Sequence, residues 1–300
     1  MIELHGCIPI LCTPFHDDRS LDIESLRSQI EWVLEEGASG VATLALASEG
    51  YKLTDAERDE VAAAVIAAVD GRVPVVVSAD GPGHTIAVDR ARRSAALGAD
   101  ALMVLPPYFV APDQQNLYDY YRQIGEAVDI PVMIQDAPQL TRVSMSPALW
   151  SRLAADVETI QYVKAEGTPG GPVISETLRL SEGRLKMFCG WGGLGAMDAF
   201  ERGAIGSMPA PNFTRLFADV QSLFERGAIE AATARFDSEL PFSLWAMKSI
   251  DFSVAAAKEE MRRRGVIASA QMRQPAAALD TISRRQLDRW IDERLATGSV

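Results

Sequence analysis

The chain is poor in the residues that mark secretion, metal binding and nucleic-acid contact. It has three cysteines in 300 residues, Cys7, Cys12 and Cys189, an odd number with no Cys-x-x-Cys pair. That set argues against a disulfide framework or a thiolate zinc site, and fits small buried side chains in a reducing cytoplasm. The three histidines, His5, His16 and His84, are scattered and form no HxH or HExxH pattern, so no metal is expected. Cations are outnumbered, 29 Lys and Arg against 41 Asp and Glu, a formal net charge of -12. Nucleic acid and anionic membrane both need a basic surface, and neither is an expected partner. The deficit does not exclude a small anion, because helix N-termini and a single lysine can make one pocket positive. No apolar run is long enough to span a bilayer. The start of the chain lacks a basic segment followed by a long apolar stretch, so no signal peptide is expected.

What the chain does have is rhythm. Hydrophobic residues make up 48% and charged residues 23%, a globular profile. Eight short apolar runs recur: 7–11, 40–46, 73–78, 101–105, 132–135, 160–164, 185–189 and 204–208. Each is too short for a core helix, and their near-continuous apolarity fits strands buried on both faces. Between them lie amphipathic stretches. Residues 22–36 carry Ile23, Leu26, Ile30, Val33 and Leu34 on one stripe before Gly37. Thr54 opens a capping box, T-D-A-E. Segments 84–97, 113–128 and 146–155 follow the same plan. Eight strand–helix units predict an α/β protein, a (β/α)₈ TIM barrel. An open doubly wound sheet is the alternative, weakened because no G-x-G-x-x-G follows the first strand. After the eighth run only helices are predicted, over 213–226, 230–240, 243–264 and 283–295. The expected organisation is a barrel over 1–226 and a helical appendage over 227–300 packed on it.

A barrel does its chemistry at the C-terminal ends of its strands. Of the five lysines, Lys164 alone ends an apolar strand. Lys52 enters a helix, Lys186 begins a strand, and Lys248 and Lys258 sit in the appendage. A lysine caged in an apolar mouth favours the neutral amine, which can attack a ketone to form an imine. The plain alternative is a lysine that only pairs with Glu166 or Asp136. The loop Ser48-Glu49-Gly50 offers backbone N–H groups to a carboxylate, or is an ordinary turn. Gly190-Trp191-Gly192-Gly193 has no basic residue and reads better as a turn than as a phosphate cradle.

These residues carry a resemblance. The chain resembles the dihydrodipicolinate synthase / N-acetylneuraminate lyase superfamily over nearly its whole length. The motifs are G-C-I-P-I-L-C-T-P-F, S-E-G-Y-K-L-T-D-A-E-R, L-P-P-Y-F and the strand-six Y-V-K-A-E. The resemblance implies a barrel with C-terminal helices, usually a homotetramer, and a Schiff base between Lys164 and a pyruvate-like 2-keto acid. The departures are informative. Where the superfamily carries G-T-T-G-E, the chain has Ala45-Leu46-Ala47-Ser48-Glu49. The usual strand-five tyrosine is Gln135, the second tyrosine of P-Y-Y is Phe109, and the usual arginine falls at Leu140. The threonine–tyrosine proton relay is therefore missing, which argues against the synthase and sialic acid lyase reactions. I-Q-D-A-P and V-K-A-E-G resemble one branch more closely, the L-2-keto-3-deoxyarabonate dehydratases.

By that resemblance Lys164, Gln135 and Glu166 form the catalytic set. The backbone around Ala47 and Ser48 becomes the carboxylate seat, and Gly206 and Ser207 line the same pocket. Tyr108, Phe109 and Trp191 are expected to shape its distal part. The expected reaction is dehydration of a 2-keto-3-deoxy sugar acid. Lys164 forms an iminium, a C3 proton leaves, and the C4 hydroxyl departs. A second dehydration or an equivalent tautomerisation at C5 then leads to 2-oxoglutarate semialdehyde. No cofactor is expected, because the lysine supplies the electron sink. Two alternatives remain open: aldol cleavage on the same imine to pyruvate and an aldehyde, and a barrel that binds a keto acid without catalysis.

Overall fold

The computed structural model describes residues 3–296. Eight parallel strands alternate with helices: β1 (Gly6–Cys7), β2 (Val41–Thr43), β3 (Val75–Ser78), β4 (Ala101–Val104), β5 (Val132–Asp136), β6 (Ile160–Ala165), β7 (Lys186–Cys189) and β8 (Gly206–Ser207). They pair in the order β1-β8-β7-β6-β5-β4-β3-β2. A parallel bridge between Ile10 and Ala42 joins the two ends of that order, so the sheet closes on itself as a TIM barrel. Each of the eight strands overlaps one of the eight apolar runs, although β1 meets its run only at Cys7 and β2 stops three residues before its run does.

The apolarity on both strand faces is spent in two layers. Ile8, Val76, Met103, Met133, Tyr162 and Phe188 fill the barrel interior. Alternate residues such as Val77, Val104, Ile134 and Val163 pack outward beneath the helices. Each buries its side chain without leaving a backbone group unpaired, because the parallel ladder satisfies the amides.

Several local signals act as their chemistry dictates. Thr54 and Glu57 form a reciprocal capping box on helix Asp55–Val69. Asp22, Asp113 and Ser146 cap the helices that follow them. The strand expected to run through Leu46 stops at Thr43, because Leu44 adopts a left-handed φ of 62° and the chain turns into a 3₁₀ helix, Leu46–Ser48. Helix Gly170–Ser181 is additional to the helices that the sequence predicts; its Gly-Gly-Pro start carries no signal, and its capping residue, Pro169, offers no side-chain cap.

The appendage is also divided differently. Helix Ile229–Ala246 continues through Pro241 rather than ending before it. The break comes at Met247–Ser249, where the Ser249 hydroxyl accepts from the Phe252 amide and starts helix Ile250–Arg263. Helix Thr281–Ala296 ends the described chain; positions 297–300 of the expected appendage lie outside the described residues. Among these residues no helix is long and apolar enough to cross a membrane.

Candidate active site

Side chains alternate along a strand, so Tyr162, Lys164 and Glu166 share the inward face of β6 and its continuation. Tyr162 is the lowest of the three, and its hydroxyl is turned away, accepting from the Leu4 amide at 3.2 Å. Lys164 lies one layer higher, 4% exposed, at the barrel mouth. Its Nζ is 2.5 Å from Oε1 of Glu166, which is equally buried. Gln135 stands beside Lys164 in register on β5, and its Nε2 donates to the same Glu166 oxygen at 3.3 Å. The orientation of that amide follows from chemistry, since a carboxylate can only accept. It leaves Gln135 Oε1 buried without a partner among the described residues, a free acceptor beside the amine.

The three polar groups open on a small cavity of about 40 Å³. Its other walls are Ile10, the loop 45–47, Trp191, Met208–Ala210 and three residues of the appendage, Met247, Ile250 and Ser253. Among the described residues, Lys164 and Glu166 are the only titratable ones that line it. Asp136 faces the opposite side of β5, against Gly167 and Pro138. Burial, with the Glu166 charge adding to it, pushes its carboxyl up to about 7.

The loop after β2 is held tightly. Ala45 O accepts from the amides of both Ser48 and Gly50, at 3.1 Å each. Ser48 O accepts from the Thr13 hydroxyl at 2.6 Å, and Arg58 ties Gly50 O to Ser78 O. Gly50 is required by close approach, because a Cβ there would lie 2.5 Å from the Leu44 carbonyl carbon and closer to its oxygen. These bonds leave the Leu46 and Ala47 amides without a backbone acceptor among the described residues, side by side at the start of a 3₁₀ turn. The free N–H pair is thus Leu46 and Ala47, and the Ser48 amide is spent inside the turn.

Glu49 anchors this loop from behind. It is 1% exposed and left-handed, with φ 56°. Lys52 reaches one carboxylate oxygen at 2.9 Å, Lys258 the other at 2.6 Å, and the Arg273 amide donates at 3.0 Å. Lys258 is fully buried on the appendage helix, donates also to Gln271 O, and rests over the Phe15 ring. Burial lowers its pKa, opposed by Glu49. Lys258 falls on the helix's apolar stripe with Val254 and Met261 at i-4 and i+3. A charge at such a position is the signal that could have marked it.

The remaining expected residues lie as follows. Trp191 and Ala47 line the Lys164 cavity. Tyr108, 44% exposed, lines a neighbouring cavity with Tyr51, Asp80 and Arg90 instead. Ser207 is in register with Cys7 and Cys189, whose side chains belong to the layer under the helices, so it turns out of the barrel. Gly206 points inward but sits below the cavity. A Cβ there would lie 2.5 Å from the Phe188 ring, and β1 crosses just beside it. All three cysteines are buried and free, and burial pushes the thiols of Cys12 and Cys189 up to about 12.

The model of the dihydrodipicolinate synthetase family matches residues 3–294. The chain belongs to that family. Like other members of the dihydrodipicolinate synthetase family, it is an enzyme of the lyase class. It is 31% identical over 290 residues to the L-2-keto-3-deoxyarabonate dehydratase of Azospirillum brasilense, covering 94% of this chain and 92% of that protein. It is 36% identical over 166 residues to the 4-hydroxy-tetrahydrodipicolinate synthase of Haloarcula marismortui, covering 55% and 54%. The dihydrodipicolinate synthase of Rhodopseudomonas palustris superposes with a TM-score of 0.90 at 30% identity, over 97% of both chains.

Proposed function

We propose that this family member dehydrates a 2-keto-3-deoxy sugar acid of the L-2-keto-3-deoxyarabonate type through a Schiff base on Lys164. The observation that carries the reading is the contact of Lys164 Nζ with Glu166 Oε1 at 2.5 Å, in a cavity lined by no other titratable side chain among the described residues. Similarity to the Azospirillum dehydratase along almost the whole chain supports it.

The Leu46 and Ala47 amides receive the substrate carboxylate. Glu166 takes a proton from the Lys164 ammonium, and the amine adds to C2. The C2 oxygen takes one proton from the attached nitrogen and one back from Glu166, leaves as water and gives the iminium. Glu166 then removes a C3 proton, and the enamine expels the C4 hydroxyl as water with that same proton. Gln135 cannot shuttle protons; its free Oε1 accepts from the C4 hydroxyl and orients it. For a pentonate, protons next leave C5 and its hydroxyl, others return at C3 and C4, and the terminal carbinol becomes an aldehyde. Hydrolysis consumes one water and frees Lys164, so one water is lost overall. Glu166 serves every transfer because it reaches the amine and the carbons beside it.

The substrate-binding set is Leu46, Ala47 and Gln135, with Trp191 and Met247 around the tail. Assembly as a homo-oligomer, a tetramer by resemblance, belongs to the same proposal; exposed Tyr108, Phe109 and Val110 offer a second copy an apolar surface. The test is borohydride trapping with the keto acid, a mass shift on Lys164, and product analysis. Dehydration gives 2-oxoglutarate semialdehyde. Pyruvate plus an aldehyde would mean aldol cleavage, and no trapping would end the covalent scheme.

A further inference from the structure

The position after β7 is glycine for a reason that its backbone does not supply. Gly190 has φ -98° and ψ -150°, extended backbone open to other residues. Phe188 fills the inward position two residues earlier, and by alternation residue 190 also faces in. A Cβ at 190 would lie 2.8 Å from Oε1 and 3.0 Å from Cδ of Glu166, and closer still to Cγ. The space that any side chain there would take is occupied by the Glu166 carboxylate. Gly195, farther along the same segment, is different: a Cβ there meets only the Cys189 sulfur, at 4.0 Å.

We propose that Gly190 is a positioning residue for the reaction, whose missing side chain makes the berth that holds the Glu166 carboxylate against Lys164. Glu166 is wedged between the amine, the Gln135 amide and the bare Cα of Gly190. With a methyl group at 190, the carboxylate must leave the oxygen position it shares with both donors, and the imine loses its base. This rests on the role given to Glu166 above.

The test compares Gly190→Ala, Glu166→Gln, the double variant and Gly195→Ala. Turnover of the keto-deoxy acid and exchange of the pyruvate methyl protons in deuterium oxide are followed. Borohydride trapping of pyruvate on Lys164 is measured alongside. Gly190→Ala is expected to lower kcat and the exchange rate about 10²-fold or more, with trapping slowed but not abolished and KM little changed. The double variant is expected to match Glu166→Gln within about twofold, and Gly195→Ala to behave as the parent. Gly190→Ala with parental exchange, or losses that multiply in the double variant, would overturn the berth while leaving the role of Glu166 intact. Parental activity in Glu166→Gln would overturn that role and the berth with it. Should Gly190→Ala fail to fold, combining it with Glu166→Ala removes the atoms that the new methyl meets. That pair is expected to recover the melting temperature of Glu166→Ala, and a pair that stays unfolded refutes the inference.

Discussion

Lys164 on β6 and Glu166, one residue past the end of that strand, point the same way and meet at 2.5 Å. A strand is the element that allows this, since its period of two puts both side chains on one face. On a helix the same spacing would send them to different sides.

The first prediction concerns that pair. Lys164→Ala is expected to abolish borohydride trapping and lower turnover by roughly 10⁴-fold or more, as loss of a covalent nucleophile does. Glu166→Gln is expected to keep slow trapping and lose about 10²–10⁴ in kcat. Peptide mass mapping and steady-state kinetics measure both, and full turnover by Lys164→Ala would refute the scheme.

A second prediction follows from Lys258. Removing its charge leaves Glu49 buried with one fewer partner, a change that costs about 3 kcal/mol when a buried pair is broken. The loop that Glu49 anchors carries the Leu46 and Ala47 amides. Lys258→Met should therefore lower the urea midpoint and raise KM more than it lowers kcat. Adding Glu49→Gln should restore part of the stability. A KM equal to the parent's would show that the loop does not need this anchor.

Asp136 makes stability depend on pH. Burial, with the Glu166 charge, pushes its carboxyl up to about 7 in the folded protein, whereas an unfolded aspartate titrates near about 4. The folded state binds this proton more tightly. Its contribution is complete below about pH 4 and is lost as the pH rises through about 7. Asp136→Asn removes the loss, so relative to the parent it should gain on the order of 1–3 kcal/mol between pH 4 and pH 8. Urea melts at the two pH values measure this, and identical pH dependence in both proteins would refute it.

Gly50 tests the packing of the loop. A methyl group there runs into the Leu44 carbonyl, and overpacking of this kind costs about 1–3 kcal/mol. Gly50→Ala should be destabilised and should bind the carboxylate of pyruvate more weakly, read by thermal melts and by the pyruvate concentration that half-saturates trapping. Gly71→Ala serves as the contrast: a Cβ there meets nothing within 4 Å, although φ is 69°. Its cost would be backbone strain alone, without an effect on pyruvate.

Much is legible in the linear order of residues. Strand apolarity and spacing locate all eight strands, because a parallel sheet covered on both faces needs unbroken apolar runs. The position of Lys164 at the end of one run marks it among five lysines, because that end of a strand is the barrel's mouth. The capping box at Thr54 is local chemistry and reads directly. The Gly170–Ser181 helix is not announced locally, because its Gly-Gly-Pro start offers no side-chain cap to the stripe of Ile174, Thr177 and Ser181 that it buries.

What the linear order could not express is which groups face each other across the barrel. Whether Ser207 looks in or out depends on the register of β8 with β1 and β7, which is set by neighbours about 200 and about 20 residues away. The free amides fall at Leu46 and Ala47 because the 3₁₀ turn consumes that of Ser48. The cavity takes Met247, Ile250 and Ser253 from a helical segment whose place over the mouth is decided by packing, with Lys258 reaching back 209 positions to Glu49. Local sequence sets which backbone conformations and faces are favourable. The close approach of distant side chains is set by the summed burial of the whole fold, and only the tertiary structure contains it.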